Sequence, residues 1–565
     1  MPQPVAMNSR PLRSAQWFQT TEYYAFARRA WLRSEGFTPA IFEEGKPVIG
    51  IANSWSELNN CNLHLKSVAE AVKRGVWLAG GFPLEFPTIS LGEMFIKPTA
   101  MLLRNLMAMD VEEMIRTQPL DGVVLLGGCD KTTPAQIMGA VSAGLPAIVC
   151  SGGPMLHGQW RDRKLGAGTD GRKLFDLFRK GDLTEEQWCE IEGGIARSAG
   201  HCTVMGTAST MTLLAEALGL ALPGTAAIPA PDSRRLAAAE ETGRRIVEMV
   251  REDLTPAKIL TPAAFHNAIR VMMALSGSTN AIIHLIAIAG RARVPLSLDD
   301  FDRLSRTTPW LANIKPSGEY LMEDFHAAGG LPVLMRDLLP LLEPNAITVS
   351  GRSVAENIAM AECFDRDVIK PLAQEGGTFV LQGNLCPRGA VLKQSAASPH
   401  LLHHRGPAFV FDHYDQMRAR LEDPDLPVHE NTVLVMKNCG PKGAPGFPEW
   451  GQIPLPTKLL AKGVTDLVRL SDARMSGTSF GTIVLHVCPE SAVGGPLAAV
   501  QTGDEIELDA AARRLHLHVP EEEISRRLKS FEPPPPHYAR GYGRLFLDHV
   551  LQADEGCDFD FLRGI

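Results

Sequence analysis

The chain has 565 residues, more than one hydrophobic core usually holds, so two or more domains are expected. It is 45% hydrophobic and 21% charged, which is typical of soluble globular proteins. A formal net charge of −8 at pH 7 predicts no basic surface for nucleic acid or for an anionic membrane, and both are excluded as partners.

The sequence contains no obvious targeting segment. The first residues, MPQPVAMNSRPLRSAQWF, lack the apolar region of a signal peptide, so the expected compartment is the cytoplasm. The most apolar stretch, residues 271–290, is interrupted by Ser276, Ser278, Asn280 and His284, which argues against a membrane span. We interpret it as a buried helix. The ten cysteines include no CxxC pair, and a disulfide scaffold is not expected.

Strand-like and helix-like segments alternate from about residue 45 to residue 375. VIGIAN, DGVVLLGG and PAIVCSGG predict strands. Helices are predicted in CNLHLKSVAEAVKRGVWLAGG, with Asn59 or Asn60 as the cap, in TTPAQIMGAVSAG, and after the loop GHCTVMG. This alternation predicts an N-terminal α/β domain with a largely parallel core sheet over residues 1–375.

The pattern changes after about residue 376. GTFVLQGNL, PAFVF, NTVLVM, DLVRL and TIVLHV are short strand candidates, and DEIELDAAARRLHLHV has the alternation of a hairpin. A proline-rich connector, FEPPPPHYARGYG, leads to a predicted C-terminal helix, RLFLDHVLQA. Residues 376–565 are therefore predicted to form a second, β-rich domain.

Three cysteines lie where α/β sheets usually gather ligands. Cys61 is at a predicted helix start, Cys129 follows a strand that ends in two glycines, and Cys202 lies between a glycine and a helix. A helix N-terminus favours the thiolate, which is the form that binds metal. The alternative is three unconnected core cysteines, because their spacing matches no recognised signature.

Acidic residues and one lysine form a second candidate set. Glu93 follows a strand-like run, Asp130 is next to Cys129, and Glu449 lies in the Gly/Pro-rich loop GPKGAPGFPEW. Carboxylate oxygens suit Mg²⁺, although each acid alone is equally explained as a solvated loop residue. Lys131 is either an ion-pair partner of Asp130 or a lysine that CO₂ carbamylates into an oxygen ligand.

Two further polar segments were considered. RLSDARMSGTSFG, residues 469–481, has Ser476 and Thr478 after a strand, which suits an active-site turn as well as an ordinary loop. SGSTN, residues 276–280, predicts a helix N-terminus with serine or threonine caps. The glycines form neither a GxGxxG nor a Walker A motif, so no nucleotide site is predicted.

Taken together, several blocks resemble the dihydroxy-acid dehydratase / 6-phosphogluconate dehydratase family. The blocks are CNLHL, GGCDKTTPAQIMGA, GHCTVMGTASTM, SGSTNAIIHL, NCGPKGAPGFPEW and LSDARMSGTSFGTIVLHVCPES. They run nearly end to end and in order. The resemblance implies an α/β N-terminal domain, a smaller β-barrel-like C-terminal domain, and a homodimer or homotetramer with its sites near subunit contacts.

The resemblance also implies two metal centres and a base, which it assigns to residues of this chain. A 2Fe-2S cluster would be held by Cys61, Cys129 and Cys202, and Mg²⁺ by Glu93, Asp130, carbamylated Lys131 and Glu449, with Ser476 as the base and Thr478 beside it. Such an enzyme is a hydro-lyase that removes water across C2 and C3 of a 2,3-dihydroxy acid and yields a 2-keto-3-deoxy acid. Three cysteines leave one iron an open position, whereas four would close the cluster.

One stretch points to the substrate. Family members of branched-chain biosynthesis carry Val-Ser-Asp-Gly where this chain has SLGE, so Glu93 replaces their aspartate. FPTISLGE resembles the sugar-acid branch, such as L-arabinonate or D-xylonate dehydratases, and predicts a C5 or C6 aldonate as substrate. The alternatives are a dihydroxy-acid dehydratase, an Fe–S redox sensor that would not need Glu93, Glu449 or Ser476, and a metal-free binding protein.

Overall fold

The computed structural model describes residues 11–564, and within them the N-terminal part of the chain is built on a four-stranded parallel sheet. The strands are β1 (Val48–Asn53), β2 (Phe82–Pro87), β3 (Gly122–Gly127) and β4 (Ala147–Ser151), in the order β2-β1-β3-β4. β1 and β3 are buried along their whole length, which explains their nearly unbroken apolar sequences. The predicted parallel core sheet is confirmed.

The other elements of this part are mostly helices. In chain order they are α1 (Ala15–Phe18), α2 (Tyr23–Ser34), α3 (Ala40–Glu43), α4 (Leu65–Leu78), α5 (Arg104–Thr117), α6 (Thr132–Ala143), β5 (Gly158–Trp160), β6 (Arg163–Leu165), α7 (Thr169–Lys180), α8 (Glu185–Ile195), α9 (Thr207–Ala217), α10 (Ser233–Arg251), α11 (Pro256–Ile259), α12 (Pro262–Ala274), α13 (Asn280–Arg291), α14 (Leu298–Ser305), β7 (Trp310–Ala312), α15 (Met322–Ala327), α16 (Gly330–Asp337), α17 (Val354–Ile358) and β8 (Ile369–Ala373).

Helices α4 and α10 pack against each other and against the sheet. They approach closely at two glycines. A Cβ on Gly75 would lie 1.9 Å from the Glu240 carbonyl oxygen, and one on Gly243 would lie 2.1 Å from that of Val72. Glycine within a helix costs roughly 0.5–1 kcal/mol relative to alanine. Here it lets the two backbones meet. Within residues 11–564, every helix is too short or too polar to cross a membrane.

A closed barrel forms the second part of the described chain. In chain order, the strands and helices of this part are β9 (Phe379–Gly383), β10 (Cys386–Leu392), β11 (His403–Phe411), α18 (Tyr414–Arg420), β12 (Val433–Met436), α19 (Thr457–Leu460), β13 (Arg469–Ser471), β14 (Ile483–Cys488), β15 (Glu505–Asp509), β16 (Arg514–Leu517), α20 (Glu521–Lys529) and α21 (Gly541–His549). Around the barrel, the strands lie in the order β10-β14-β13-β12-β11-β15-β16-β9. The predicted barrel-like domain is confirmed, while the division between residues 375 and 376 stays a prediction.

The apolar stretch 271–290 is not one helix, and that interpretation was wrong. α12 ends at Ala274 and α13 begins at Asn280. Between them Ser276 has φ 49°, a left-handed conformation that no continuous helix contains. Ser278 accepts a hydrogen bond from Asn280 N at 3.3 Å, and Thr279 makes no side-chain cap. Both helices are buried, so the composition predicted burial correctly.

The segment after the barrel packs back on the N-terminal part. α21 and the residues that follow it share a hydrophobic cluster with side chains before α5 and within α13. The buried Arg104 donates through Nη2 to the carbonyl oxygens of Gly556 and Cys557, at 2.9 and 2.8 Å. Arg291 Nε lies 2.6 Å from Asp558 Oδ2, and both of these side chains are fully buried. The last residues of the chain are thus part of the N-terminal core.

Candidate active site

The carboxyl ends of β1 and β3 bring two of the predicted cysteines together. A 3₁₀ turn over Asn60–Asn62 carries Cys61, and Cys129 follows β3 directly. Gly128 N donates to the Asn62 side-chain oxygen at 3.0 Å, and a Cβ on Gly128 would lie 2.6 Å from the Cys61 carbonyl oxygen, so the close approach requires glycine. A hydrogen bond with Cys129, followed by burial, raises the pKa of Cys61 well above its usual value.

Cys202 joins these thiols from the loop before α9. Gly200 N donates to the carbonyl oxygen of Asn60 at 3.1 Å and holds this loop against the 3₁₀ turn. Burial, and after it the neighbouring Cys129 and Asp130, raise the pKa of Cys202 to about 12. All ten cysteines are free in the structure. The three predicted cysteines form one group that would release protons on binding metal.

The buried ammonium of Lys131 lies among three carboxylates. Its Nζ is 2.6 Å from Asp130 Oδ2, 3.4 Å from Glu449 Oε1 and 3.5 Å from Glu93 Oε2. Burial lowers the pKa of Lys131, but the three carboxylates outweigh it and raise the pKa above the usual value for lysine. In the structure Lys131 is therefore an ion-pair partner of Asp130. It also pairs with Glu449 and Glu93.

The acids around this ammonium are held differently. Glu93 lies beyond the end of β2, which stops at Pro87, so the strand expected directly before Glu93 is absent from the described chain. Thr99 Oγ1 donates to Glu93 Oε1 at 2.7 Å. Burial raises the pKa of Glu93 despite the opposing effect of Lys131. Burial also acts to raise the pKa of Asp130, but the charge and hydrogen bond of Lys131, together with Arg474, outweigh it and lower that pKa. The same surroundings thus shift the pKa values of the two acids in opposite directions.

The buried Arg474 connects Glu449 to the rest of the cluster. Its Nη1 donates to Glu449 Oε1 at 3.0 Å, its Nη2 to Thr99 Oγ1 at 3.2 Å, and its Nε to the Phe447 carbonyl oxygen at 2.7 Å. Arg474 and Lys131 place two positive charges against three carboxylates. Carboxylate oxygens in excess of positive charge are the donor chemistry that Mg²⁺ prefers.

The turn after β13 carries the predicted base. Ser476 Oγ and Thr478 Oγ1 are 3.0 Å apart and share a hydrogen bond. Thr169 Oγ1, at the start of α7, donates to the Thr478 carbonyl oxygen at 2.9 Å. A Cβ on Gly477 would lie 2.7 Å from both Ser278 Oγ and Thr207 N, so this turn is packed tightly onto the N-terminal part. The turn that carries Ser476 is therefore held by contacts from both parts of the chain, while the Ser476 hydroxyl itself bonds to Thr478.

Asn280 joins the carboxylates to this turn, and the sequence did not assign it a role. Its Nδ2 lies 2.8 Å from Glu449 Oε1, 3.0 Å from the Met475 carbonyl oxygen and 3.1 Å from Thr207 Oγ1. Its sequence context, SGSTN, predicts only a helix start. A polar residue inside a strongly apolar stretch was the available signal. The break between α12 and α13 is what allows its amide to reach both Glu449 and the Ser476 turn.

The structure thus brings all nine predicted site residues to one region. Cys129, Asp130 and Lys131 are consecutive, the other two cysteines adjoin Cys129, and Glu93 and Glu449 adjoin Lys131. Within residues 11–564, no three His, Cys, Asp or Glu side chains already stand in a metal-binding arrangement. Among the carboxylates, the Lys131 ammonium takes the central position. Metal ligation by these residues stays a prediction.

Comparisons with known proteins identify the family of the chain. Residues 46–357 match the model of the dihydroxy-acid/6-phosphogluconate dehydratase N-terminal domain, and residues 365–557 match that of the C-terminal domain. Together the two models cover the sheet, the barrel and every predicted site residue.

Full-length relatives are similar as well. The chain is 54% identical to an L-arabonate dehydratase of Azospirillum brasilense and 53% identical to an L-arabinonate dehydratase of Rhizobium leguminosarum bv. trifolii. Each of these alignments covers 98% of this chain and 97% of the relative. It is 39% identical to a dihydroxy-acid dehydratase of Sulfurisphaera tokodaii, over 94% of this chain and 97% of that protein. The chain therefore belongs to the dihydroxy-acid/6-phosphogluconate dehydratase family and is an enzyme of the hydro-lyase class.

Proposed function

We propose that this enzyme dehydrates a C5 or C6 aldonate to the corresponding 2-keto-3-deoxy acid. The observation that carries the proposal is one continuous site, in which three thiols adjoin the carboxylates around Lys131 and Asn280 links Glu449 to the Ser476 turn. The higher identity to the L-arabonate and L-arabinonate dehydratases than to the dihydroxy-acid dehydratase supports a sugar acid as substrate.

The residues present fit the two metal groups that this reaction needs. Cys61, Cys129 and Cys202 would hold a 2Fe-2S cluster, since thiolates are the ligands of iron–sulfur clusters. Glu93, Asp130, Glu449 and a carbamylated Lys131 would hold Mg²⁺, since their oxygens are hard ligands. When bound, the two groups supply Lewis acids for the leaving C3 hydroxyl and for the charge that develops near the carboxylate.

The protein's own groups account for the proton transfer. Ser476 Oγ would accept the C2 proton, and its hydroxyl is oriented by Thr478, 3.0 Å away. Serine is a weak base unless nearby positive charge lowers its pKa. Asn280 and Arg474 keep Glu449 in place beside that turn through contacts of 2.8 and 3.0 Å. These contacts fix the distance between the carboxylate cluster and the proton acceptor.

The other candidate functions explain less of the site. An Fe–S redox sensor would use the three cysteines but would not require Glu93, Glu449 or Ser476, which the structure brings to the same region. A dihydroxy-acid dehydratase would use the whole site, and it is the first alternative if sugar acids fail as substrates.

Subunit contacts near the site are part of the proposal. Met94 and Phe95, which follow Glu93 directly, are 83% and 71% exposed, and α2 exposes Tyr23, Tyr24 and Trp31. Apolar surface of this kind commonly marks a protein contact. It supports the proposed homodimer or homotetramer, in which a second copy would cover the Glu93 loop. The proposed compartment is the cytoplasm.

The proposed function is tested with a panel of aldonic acids. Holoenzyme prepared without oxygen is incubated with L-arabinonate, D-xylonate, D-gluconate and 2,3-dihydroxyisovalerate, and 2-keto acid is measured. We expect turnover of at least one aldonate with a higher kcat/KM than 2,3-dihydroxyisovalerate. Preference for the branched acid would favour the dihydroxy-acid dehydratase. Turnover of none of them by protein that keeps its cluster would favour the sensor.

Substitutions at the carboxylates test the magnesium proposal. Asp130→Asn and Glu449→Gln are expected to reduce turnover by at least about 100-fold, because each removes an anionic oxygen from a hard cation, while the iron–sulfur absorption stays. Lys131→Arg is expected to behave alike, since a guanidinium is not carbamylated. Glu85→Gln is the control, because Glu85 lies on the edge strand β2 and pairs with Lys73. Full activity in all three site variants would leave Lys131 as a simple ion-pair partner.

A further inference from the structure

A cleft of about 490 Å³ opens at Glu449. We refer to it as the Glu449 cleft. Its walls come from α7, from α18 and from the loop after Glu449, and the residues used below are Arg172, Arg179, Tyr414, Trp450, Gln452 and Phe480. Its volume lies within the range of about 300–1,000 Å³ that is usual for small-molecule sites.

Two walls of the cleft are attached to the Ser476 turn. Phe480 lies two residues after Thr478 and lines the cleft. α7, which forms another wall, begins at Thr169, whose hydroxyl donates to the Thr478 carbonyl oxygen at 2.9 Å. A molecule with one end at Glu449 therefore has space for its other end in this cleft.

The wall beside Glu449 is rigid and aromatic. Trp450 stacks on Tyr414 with ring centroids 4.1 Å apart and an interplanar angle of 10°. Both rings line the cleft. The stack fixes Trp450, and with it the backbone next to Glu449, so the polar groups on this wall are presented in a defined position.

Several polar side chains of the cleft, among them Gln452 and Arg172, have donors to spare. Gln452 Oε1 accepts from Ser479 Oγ at 2.5 Å, which fixes the amide, and its Nε2 has no partner among residues 11–564. The guanidinium of Arg172 also has no side-chain partner within the described chain, whereas Arg179 on the same helix pairs with Glu422 at 2.5 Å. Gln452 and Arg172 thus offer hydrogen-bond donors to the cleft.

We propose that the Glu449 cleft binds the polyhydroxylated tail of the sugar acid, and that Gln452 and Arg172 donate hydrogen bonds to its distal hydroxyl groups. This inference rests on the proposed function, because it takes the reacting carbons to lie at Glu449 and Ser476. A site built to bond hydroxyl groups rejects an alkyl tail, since its donors would then be desolvated without partners. The cleft would therefore select aldonates over branched-chain dihydroxy acids.

The test compares Gln452→Leu and Arg172→Leu holoenzymes on two substrates, an aldonate and 2,3-dihydroxyisovalerate. Both acids carry hydroxyl groups at C2 and C3, but only the aldonate has hydroxyl groups further along. For an aldonate, each substitution is expected to raise KM by about 3- to 10-fold, the effect of one lost hydrogen bond, with kcat changed less. For 2,3-dihydroxyisovalerate, kcat/KM is expected to stay level or to rise. Gln382→Leu makes the same chemical change at an exposed glutamine of β9 and is the control.

Binding of the aldonate is measured in parallel by titration calorimetry, so that the outcome does not depend on turnover. Weaker aldonate binding by Gln452→Leu and Arg172→Leu, but not by Gln382→Leu, would support the inference. This holds even if the bound aldonate is not dehydrated, because the absence of dehydration would overturn only the proposed function. Unchanged aldonate binding and KM in both cleft variants, or equal losses for the two substrates, would overturn the inference. Failure of the parent enzyme to bind any aldonate would overturn both.

Discussion

Serine in place of Cys129 is expected to abolish both the visible iron–sulfur absorption and the dehydratase activity. Cys129 is the central thiol, since it is hydrogen-bonded to Cys61 and is the first neighbour that raises the pKa of Cys202. A serine hydroxyl is a hard and weakly acidic ligand, and it replaces thiolate poorly on iron. Cys61→Ser and Cys202→Ser are expected to give the same result, measured as absorption, iron content and turnover of freshly purified protein.

Two other cysteines provide the matched controls. Cys150 is buried in β4, and Cys363 is half-buried away from the three thiols. Serine at either position is expected to leave the absorption and the activity largely intact, because neither side chain is proposed to bind iron. A cluster that survived all three changes at Cys61, Cys129 and Cys202 would show that the ligand assignment is wrong.

Alanine in place of Ser476 is expected to reduce turnover by about 10²–10⁴-fold, which is the usual effect of removing a positioned base. The change deletes one oxygen and little volume, so the fold and the cluster absorption should persist. With an aldonate bound, Ser476→Ala should also stop the exchange of the C2 proton with heavy water, which is followed by NMR. That second measurement separates proton removal from the later loss of water.

Thr478→Ala is the comparison for this experiment. Thr478 shares a hydrogen bond with Ser476 at 3.0 Å and would act by orienting it, so the loss of turnover should be smaller and proton exchange should continue at a reduced rate. Exchange at the parent rate in Ser476→Ala would assign the base to another residue.

The fold could be predicted where burial and sequence pattern agree. β3 is buried along its whole length, as its run of valine and leucine predicts for a buried strand. β2 was missed because Pro83 and Pro87 are unfavourable in strands, and they are tolerated here since β2 lies at the edge of the sheet. β10 was missed because it contains Pro387 and Gly389, where the pairing register shifts.

The candidate site was predictable only in part, and chiefly through the family resemblance. That resemblance named Cys61, Lys131 and Glu449, which lie far apart in the sequence and which spacing alone did not connect. Neither Asn280 nor Arg474 has a role that its sequence context predicts. Their positions depend on the helix break at Ser276 and on the packing of the barrel against the N-terminal part, and both features arise only from tertiary contacts.

The return of residues 556–558 to the N-terminal core has a consequence for how the chain folds. The Gly556 carbonyl that pairs with the buried Arg104 lies 452 residues further along the sequence, and the Asp558 carboxylate that pairs with the buried Arg291 lies 267 residues further along. The parallel sheet is built from residues 48–151, yet both guanidinium groups lack these partners until the segment after the barrel docks. Completion of the N-terminal core thus depends on contacts between residues far apart in the sequence, which form late in folding. The N-terminal part and the segment after the barrel are therefore expected to complete their folding together.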